Sequence, residues 1–231
     1  MIKIIRIIIL IFIIFTTLNA YVMKEVRIND LNFKIYTHCS QVLHDYNQTK
    51  CYSYKNHAPR FNMYYIDSNV LKTYKKRLTF RQDNRIPYVY QNHKKCYIKS
   101  KKDRGHLDPD ANEDYNLKIL KTTYLMSNVV PESPYQNRVL IGYLEKLERK
   151  FAIEYNGIIV ITGAHFSNKH LKNNNECANI PLFIYKIFLK RKNNKFKIFK
   201  LYIIYDDKIY LIKSKRKIKI FLNLENLVFK H

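Results

Sequence analysis

One short run, Asp103-Arg104-Gly105-His106, combines side chains that could carry out acid–base chemistry beside a phosphate group. Histidine is the usual general base near neutral pH, and a neighbouring carboxylate can fix its tautomer. Arginine offers a planar fork that matches phosphate oxygens, and glycine permits a tight turn and a close approach by a substrate backbone. By itself the run is only suggestive of a catalytic site, because so short a string also occurs by chance.

A predicted helix further along the chain carries polar side chains on one face. Its apolar residues recur every three or four positions, which predicts a helix from Asn137 to Ala152. Four residues spaced by four share a face of this helix: Asn137, Ile141, Glu145 and Arg149. The polar ones could ligate a metal, hold water or bind phosphate, and the order of Glu145 and Arg149 favours an intrahelical ion pair. The plainer alternative is a solvated face with one incidental ion pair.

Other segments predict a mixed α+β domain around these residues. Phe61 to Ile66 is rich in aromatic residues and predicts a strand, and the apolar run from Ile158 to Thr162 predicts another. Tyr21 to about Arg60 is polar with little periodicity, so we predict no element there, and residues 84–105 have the composition of a long, lysine-rich loop. Beyond Pro181, we interpret four apolar runs as strands of one sheet: residues 182–189, 198–205, 208–212 and 218–222. No internal repeat or second domain is indicated.

The start of the chain has the features of an export signal. Basic residues precede an unbroken apolar run, Ile7 to Phe15, and the small residues that a signal peptidase reads follow up to Ala20. The run is shorter than the roughly 18 residues of a spanning helix, so we expect a signal peptide over residues 1–20. The alternative is an uncleaved anchor, since Leu18 is not an ideal small residue near a cleavage site. In both cases residues 21–231 would lie outside the cytoplasm, in the periplasm or secreted.

Composition limits the classes of partner and of fold. The formal net charge of +24 at pH 7 indicates attraction to polyanions, either nucleic acid or an anionic membrane surface. A genome with biased base composition also enriches lysine, so the charge supports such a partner only modestly. The hydrophobic fraction of 47%, with 20 tyrosines and 13 phenylalanines, is enough to fill a core. Only four glycines, and neither Gly-rich phosphate-binding motif, argue against P-loop and dinucleotide-binding folds.

The four cysteines are predicted to be structural: Cys39, Cys51, Cys96 and Cys177. An even number in an oxidising compartment indicates disulfides, with three pairings open. Proximity in sequence favours Cys39 with Cys51. The Cys-x-x-Cys spacing of a zinc site does not occur.

Four segments resemble, in order, the motifs of the DNA/RNA non-specific endonuclease family, of the Serratia-nuclease and endonuclease G type. They are RLTFRQD at 77–83, DRGH at 103–106, MSNVVPESP at 126–134 and NRVLIGYLE at 137–145. The resemblance covers about residues 60–190. It implies a ββα-metal (His-Me finger) core, built on a mainly antiparallel central sheet with flanking helices, in a single nuclease domain over residues 21–231.

The resemblance also implies a role for each matching residue in a metal-dependent cleavage of phosphodiester bonds. His106 would be the general base that activates water, and Asn137 would be the one direct protein ligand of a divalent cation, magnesium or manganese. Glu145 and Asn128 would hold metal-bound waters or orient the neighbouring groups. Asp103 would orient the motif rather than ligate the metal.

Three arginines complete the implied site: Arg77, Arg104 and Arg149. They would bind the phosphate or stabilise charge that develops in the transition state. Contacts restricted to phosphate carry no sequence information, so the implied activity is non-specific cleavage of DNA, RNA or both. Relatives are often dimers, which makes a homodimer one expected partner state.

Two positions depart from the family pattern. Ile141 stands where the family has tryptophan, which we interpret as a change in packing. Glu132 stands where the family usually has glutamine, so we expect an added negative charge near the site. That charge would weaken the approach of phosphate or shift the metal preference.

Two functions from other classes compete with the nuclease. A catalytically silent basic protein for binding or uptake of nucleic acid explains the charge, but not the aligned His106, Asn137 and Glu145. A cationic membrane-surface protein predicts a lysine-faced amphipathic helix, and no stretch of convincing length is apparent. We therefore expect no stable membrane partner unless the leader stays uncleaved.

Overall fold

The computed structural model describes residues 23–28, 31, 34–69 and 77–230. The expected leader over residues 1–20 lies outside the described residues. Among those described, no helix is long and apolar enough to cross a membrane.

A seven-stranded sheet forms the centre of the described structure, and each of its strand pairs is antiparallel. In spatial order its strands are β11 (Lys208–Leu211), β10 (Lys195–Tyr205), β9 (Asn179–Lys192), β8 (Ile158–His170), β5 (Ala58–Ile66), β4 (Gln48–Ser53) and β3 (Gln41–His44). The predicted antiparallel sheet is thus confirmed, and five of its strands contain or overlap the predicted apolar runs.

Tight turns set the register of the last three strands of this sheet. Asn193 and Asn194 join β9 to β10 with φ values of 52° and 57°, and Asp206 and Asp207 join β10 to β11 with φ values of 49° and 51°. Two-residue hairpin loops of this type need a positive φ at both positions, which asparagine and aspartate tolerate better than other residues with a side chain. The polar breaks between the apolar runs therefore specify the hairpins.

The prediction that residues 21–60 lack regular structure is wrong. Besides β3 and β4, a second sheet in the order β1-β2-β12 contains β1 (Met23–Arg27), β2 (Lys34–His38) and β12 (Val228–Lys230). In β2 buried and half-buried residues alternate, but over only five positions. Strands this short carry too few periods for a pattern to be recognised, and pairing with the end of the chain stabilises them instead.

The last predicted strand, residues 218–222, is also wrong, because this segment forms a helix, α4 (Lys215–Leu224). The Ser214 hydroxyl caps it by accepting from the backbone N–H of Lys217. Phe221 is buried in the core, and neighbouring apolar side chains pack against it.

A small ββα unit lies against the central sheet. Its hairpin pairs β6 (Asp103–His106) with β7 (Val129–Glu132), and two short helices, α1 (Asp110–Glu113) and α2 (Leu117–Thr123), lie between them in sequence. A π-helical turn, Gln136–Ile141, then leads directly into α3 (Gly142–Glu154).

Aromatic packing fixes α3 on the sheet. Leu144 and Ala152 are buried, and the ring of Phe151 contacts Phe188 at 5.5 Å and Phe199 at 5.3 Å between centroids. Edge-to-face contacts of this kind favour one orientation of the helix over others. The predicted helix is therefore present, with its first turns π-helical.

The two disulfides join Cys39 to Cys51 and Cys96 to Cys177. The first confirms the pairing favoured by sequence proximity. The second anchors the predicted loop at residues 84–105, which contains short 3-10 turns and enters β6 at its end. This loop is consequently attached to the fold at Cys96, and again at its end, where it enters β6.

Candidate active site

A cavity of about 690 Å³ lies at the ββα unit. Its walls come from the segment before the lysine-rich loop, from β6, from α1, from the end of α2, and from the start of α3. The lining residues are Arg77, Leu78, Thr79, Phe80, Asp103, Arg104, His106, Asp110, Tyr124, Asn137, Arg138, Gly142 and Glu145. Six of the eight predicted site residues are among them, whereas Asn128 and Arg149 are not.

His106 ends β6, and its ring is held between two aromatic side chains. The centroid distances are 4.9 Å to Phe80 and 5.1 Å to Tyr124. Burial lowers the pKa of His106 to about 4; the carboxylate of Asp110 opposes this shift, and the positive charge of Arg77 adds to it. The ring is therefore neutral at neutral pH, which is the form that can accept a proton.

Asp103 orients the first residues of the π-helical turn. Its carboxylate accepts two hydrogen bonds from Arg138, at 2.8 and 3.0 Å, and one from Nδ2 of Asn137 at 3.1 Å. Partial burial acts to raise the pKa of Asp103, but the hydrogen bonds from Arg138 and Asn137 outweigh it and hold the pKa below its usual value. Because Nδ2 of Asn137 is engaged, its Oδ1 remains as the atom that can act as a ligand in the cavity.

Asn128 is fully buried beside the cavity rather than in it. Its Nδ2 donates to the backbone oxygens of Asp108 and Thr123, both at 2.9 Å, while its Oδ1 accepts from the backbone N–H of Asp108 at 3.0 Å and from Asn62 at 2.7 Å. These bonds use both ends of the amide. Asn128 therefore fixes the loop that follows His106, which is a positioning role.

The face that sequence spacing assigned to Asn137, Ile141, Glu145 and Arg149 is divided in the structure. Asn137 and Glu145 line the cavity, but Ile141 is buried in the core. Among the described side chains, Arg149 donates to Asn112 at 3.2 Å rather than pairing with Glu145, so the expected ion pair is not formed. The π-helical turn rotates Ile141 away from the face of Asn137, because its wider i→i+5 turns change the angle between residues that are four apart. Glu145 and Arg149 both lie within α3, so the hydrogen bond to Asn112 is what holds Arg149 away from Glu145.

Two exposed arginines, Arg77 and Arg104, bring positive charge to the cavity, and the carboxylate of Asp110 offsets part of it. The guanidinium of Arg104 lies 4.7 Å from the centroid of Phe80, which orients it by a cation–π contact without using its hydrogen-bond donors. Glu145 faces these arginines. Because burial raises its pKa to about 7, its carboxyl group is ionised in only part of the molecules at neutral pH. The cavity thus joins a neutral imidazole, one amide oxygen and cationic side chains.

Comparison with known proteins decides the family. A model described as DNA/RNA non-specific endonuclease matches residues 31–225. The chain belongs to this family. The match extends well beyond residues 60–190, the part that the motifs alone delimited.

Individual relatives agree with this assignment. The chain is 24% identical over 160 residues to the zebrafish (Danio rerio) mitochondrial nuclease EXOG, which covers 64% of this chain and 46% of the relative. It is 32% identical over 92 residues to human mitochondrial endonuclease G, which covers 40% of this chain and 31% of the relative. The chain therefore spans less than half the length of these curated relatives.

A solved structure supports the fold. A chain in the crystal structure of the EndoG/EndoGI complex superposes with a TM-score of 0.69 at 18% identity, covering 81% of this chain and 84% of that chain. The predicted ββα-metal fold class of this endonuclease-family chain is thereby confirmed.

Seven of the thirteen lining residues were not predicted from the sequence, and four of these act on the site through their side chains: Phe80, Asp110, Tyr124 and Arg138. Phe80 lies inside one of the motifs used for the resemblance, and Arg138 adjoins Asn137, so both had a signal that was not used. Asp110 and Tyr124 had none, because their contact, in which the tyrosine hydroxyl donates to the carboxylate at 2.5 Å, depends on how α1 and α2 pack.

The negative charge expected from Glu132 is absent at neutral pH, so that expectation is wrong. Glu132 is 1% exposed, and neither of its carboxyl oxygens has a hydrogen-bond partner among the described residues. Burial, and then the nearby Glu145, raise its pKa to about 8, although Lys186 opposes them. The carboxyl packs against Gly105, where a Cβ would lie 2.1 Å from its carbon, so it fills space as a neutral group.

Glu132→Gln is expected to gain stability relative to the native chain as pH rises from 4.5 to about 8. Between these values the unfolded chain has lost a proton that the folded chain keeps, so the native protein loses on the order of 1 kcal/mol per pH unit. Glutamine avoids this loss. Denaturant unfolding across the range measures the difference, with the exposed Glu176→Gln as control. A difference between Glu132→Gln and the native chain that stays constant with pH would contradict the burial of a neutral carboxyl.

Proposed function

We propose that this chain is a magnesium- or manganese-dependent, sequence-non-specific endonuclease that hydrolyses phosphodiester bonds of DNA and RNA. The observation that carries the proposal is the cavity itself. A neutral His106 faces the same space as the amide of Asn137 and the arginines Arg77 and Arg104. A catalytically silent binding protein would need the positive charge, but not a deprotonated imidazole held beside it.

His106 acts as the general base in this proposal. Its Nε2 is enclosed and has no hydrogen-bond partner among the described residues, so Nδ1 is the nitrogen that a water in the cavity can reach. Nδ1 takes a proton from this water as the water oxygen bonds to phosphorus, and the bond from phosphorus to the leaving oxygen breaks. The leaving oxygen then takes a proton from solvent. An approaching phosphate brings negative charge, which raises the pKa of His106 and strengthens it as a base when substrate is bound.

The oxygen ligands of the cavity fit a divalent cation. Magnesium prefers oxygen ligands and keeps several waters, so one amide oxygen is enough protein anchorage. Oδ1 of Asn137, which Asp103 orients, would hold the ion, and the carboxylate of Glu145 would hold its waters. When bound, the cation stabilises negative charge on the phosphate and on the leaving oxygen. Among the described residues no group of three or more His, Cys, Asp or Glu side chains suits a metal, and the anchorage proposed for this chain is the single amide of Asn137.

Two of the three predicted arginines bind substrate in this proposal. Arg77 and Arg104 contact phosphate oxygens, while Arg149 acts at a distance by holding Asn112 against the helix. Contacts to phosphate alone explain the absence of sequence preference. The net charge of +24 supplies affinity that falls with rising salt.

We extend the proposal to an exported protein, periplasmic or secreted, that acts alone or as a homodimer. The two disulfides support export, since such bonds persist in oxidising compartments. The leader-like residues 1–20 point the same way.

Digestion of plasmid DNA and of RNA tests the activity. We expect both substrates to be cut with magnesium or manganese and to stay intact with a chelator. Asn137→Ala should raise the magnesium concentration needed for half-maximal rate by about tenfold or more, because it removes the protein ligand. Asn84→Ala, in an exposed turn, is the matched control. Absence of cutting by the native chain with either cation would favour a protein that only binds nucleic acid.

A further inference from the structure

A smaller cavity of about 190 Å³ adjoins the active-site cavity. We call it the side pocket, and its lining residues are Lys94, Tyr97, Ile98, Lys102, Asp103 and Arg104. Asp103 and Arg104 line both cavities, so the two meet at the start of β6. A chain-like substrate whose scissile phosphate lies near His106 could therefore continue into the side pocket.

The side pocket is cationic. Lys94 and Lys102 contribute ammonium groups for which the described residues supply no carboxylate partner, in contrast to Lys95, which lies 3.9 Å from Glu176. The carboxylate of Asp103 is already occupied by other donors, so it does not neutralise them. Unpaired cations around a small cavity fit a phosphate group.

An apolar wall completes the side pocket. Ile98 is 63% exposed between the lysines, and the ring of Tyr97 lies at the base of the same turn. Contact with water alone is unfavourable for the apolar side chain of Ile98. This side chain is well placed to contact a sugar or the face of a base that carries the bound phosphate.

The turn that forms the side pocket is held in place before any substrate arrives. The disulfide from Cys96 to Cys177 anchors it on one side. On the other, Asn92 donates both to the hydroxyl of Tyr97 at 3.2 Å and to the backbone oxygen of Val129 in β7 at 2.8 Å. The hydroxyl of Ser100 caps the turn by donating to the backbone oxygen of Tyr97 at 2.9 Å. Because the backbone of this turn is already ordered, a bound ligand needs to order only the lysine side chains.

We propose that the side pocket binds the phosphate and sugar next to the scissile bond in the substrate strand. This inference rests on the proposed function, whose cleavage site it extends by one nucleotide. The lysines bind the neighbouring phosphate and Ile98 contacts its sugar, while base edges are left unread. Substrates with a charged linkage on both sides of the central nucleotide therefore bind more tightly.

Trinucleotides test the side pocket directly. One probe has two normal phosphodiester linkages, and in the other an uncharged methylphosphonate replaces one of them. For the native chain we expect the neutral linkage to raise the KM for cutting the remaining one by about tenfold, with a much smaller effect on kcat. In Lys94→Gln/Lys102→Gln the neutral linkage should raise KM only slightly, because the two ammonium groups that bind the neighbouring phosphate are already absent. We call this rise in KM the penalty for the neutral linkage.

The control removes the same charge elsewhere. Lys195→Gln/Lys197→Gln neutralises two exposed lysines of β10, and it should keep the full penalty for the neutral linkage. If the side-pocket variant keeps the same penalty as the native chain, the proposal is overturned.

Binding in the presence of a chelator separates this inference from the proposed activity. The affinity for a single-stranded oligonucleotide of about 12 nucleotides is measured at several salt concentrations. The logarithm of the association constant falls linearly with the logarithm of the salt concentration. The magnitude of this slope should be smaller by about 1 in Lys94→Gln/Lys102→Gln than in the control variant. This difference persists if the chain cuts nothing, whereas equal slopes would overturn the side pocket and leave the nuclease untouched.

Discussion

His106→Ala is expected to slow phosphodiester cleavage by about 100-fold to 10,000-fold, because it removes the group that accepts the proton of the attacking water. Alanine leaves the backbone pairing of β6 with β7 unchanged, so the hairpin should persist. Plasmid relaxation and RNA hydrolysis at saturating magnesium measure the rate, and circular dichroism checks the fold. Cutting by this variant at the native rate would refute the base assignment.

A matched histidine controls for the loss of an imidazole. His44 lies on β3, at the edge of the sheet, and its ring contacts the hydroxyl of Thr49 at 3.1 Å. His44→Ala should therefore cut at close to the native rate. A loss as large as that of His106→Ala would indicate that the assay reports stability rather than chemistry.

The pH profile provides a second test of His106. Its pKa of about 4 in the free protein means that kcat/KM should not change through this base near neutral pH and should fall only as pH approaches that value. The active form is the deprotonated one, so activity is present above the pKa and lost below it. Since bound phosphate raises the pKa, the acid limb of kcat should lie at higher pH than the acid limb of kcat/KM.

Lys186→Met is expected to cost about 3 to 5 kcal/mol of unfolding free energy, because it leaves the buried carboxylate of Glu148 without its counter-ion. Both side chains are fully buried, and Nζ of Lys186 lies 2.5 Å from Glu148. The ammonium also donates to Thr162 at 2.9 Å and to Tyr64 at 3.3 Å. Denaturant unfolding at neutral pH measures the change.

The double variant makes this prediction specific. Lys186→Met/Glu148→Gln removes both charges and should recover much of the lost stability, since replacing both partners of a buried pair is far less costly than breaking it. Lys192→Met, at the exposed end of the same strand, should change stability by less than about 0.5 kcal/mol. A Lys186→Met variant as stable as Lys192→Met would show that the pair contributes nothing.

The Glu148 pair also explains how the cavity keeps its shape. Asn112 donates to the second carboxyl oxygen of Glu148 at 2.6 Å and accepts from Arg149. These contacts link α1, α3 and β9 behind the residues that line the cavity. Loss of the pair should consequently lower activity, because a smaller fraction of the protein is folded. The loss of activity should grow as temperature rises.

The elements that could be predicted from sequence are those with a long apolar pattern or a dense motif. The periodicity before Ala152 predicted α3, and the run from Ile158 predicted β8, because both elements bury a continuous face. Strands β1 to β4 and helix α4 could not be predicted in the same way. Their patterns are short, and pairing or packing with distant segments decides their conformation.

The order of residues was enough to identify the side chains available for chemistry: the imidazole of His106, the amide of Asn137, the arginines and the basic loop, in an arrangement typical of one family. Their protonation states, and which of them lie close together, depend on the tertiary structure. Burial makes His106 and Glu132 neutral at neutral pH, a hydrogen bond to Asn112 holds Arg149 outside the cavity, and a disulfide anchors the turn of the side pocket beside β6. Protonation depends on desolvation and on charges that are distant in sequence, so it follows from the packed fold rather than from the order of residues.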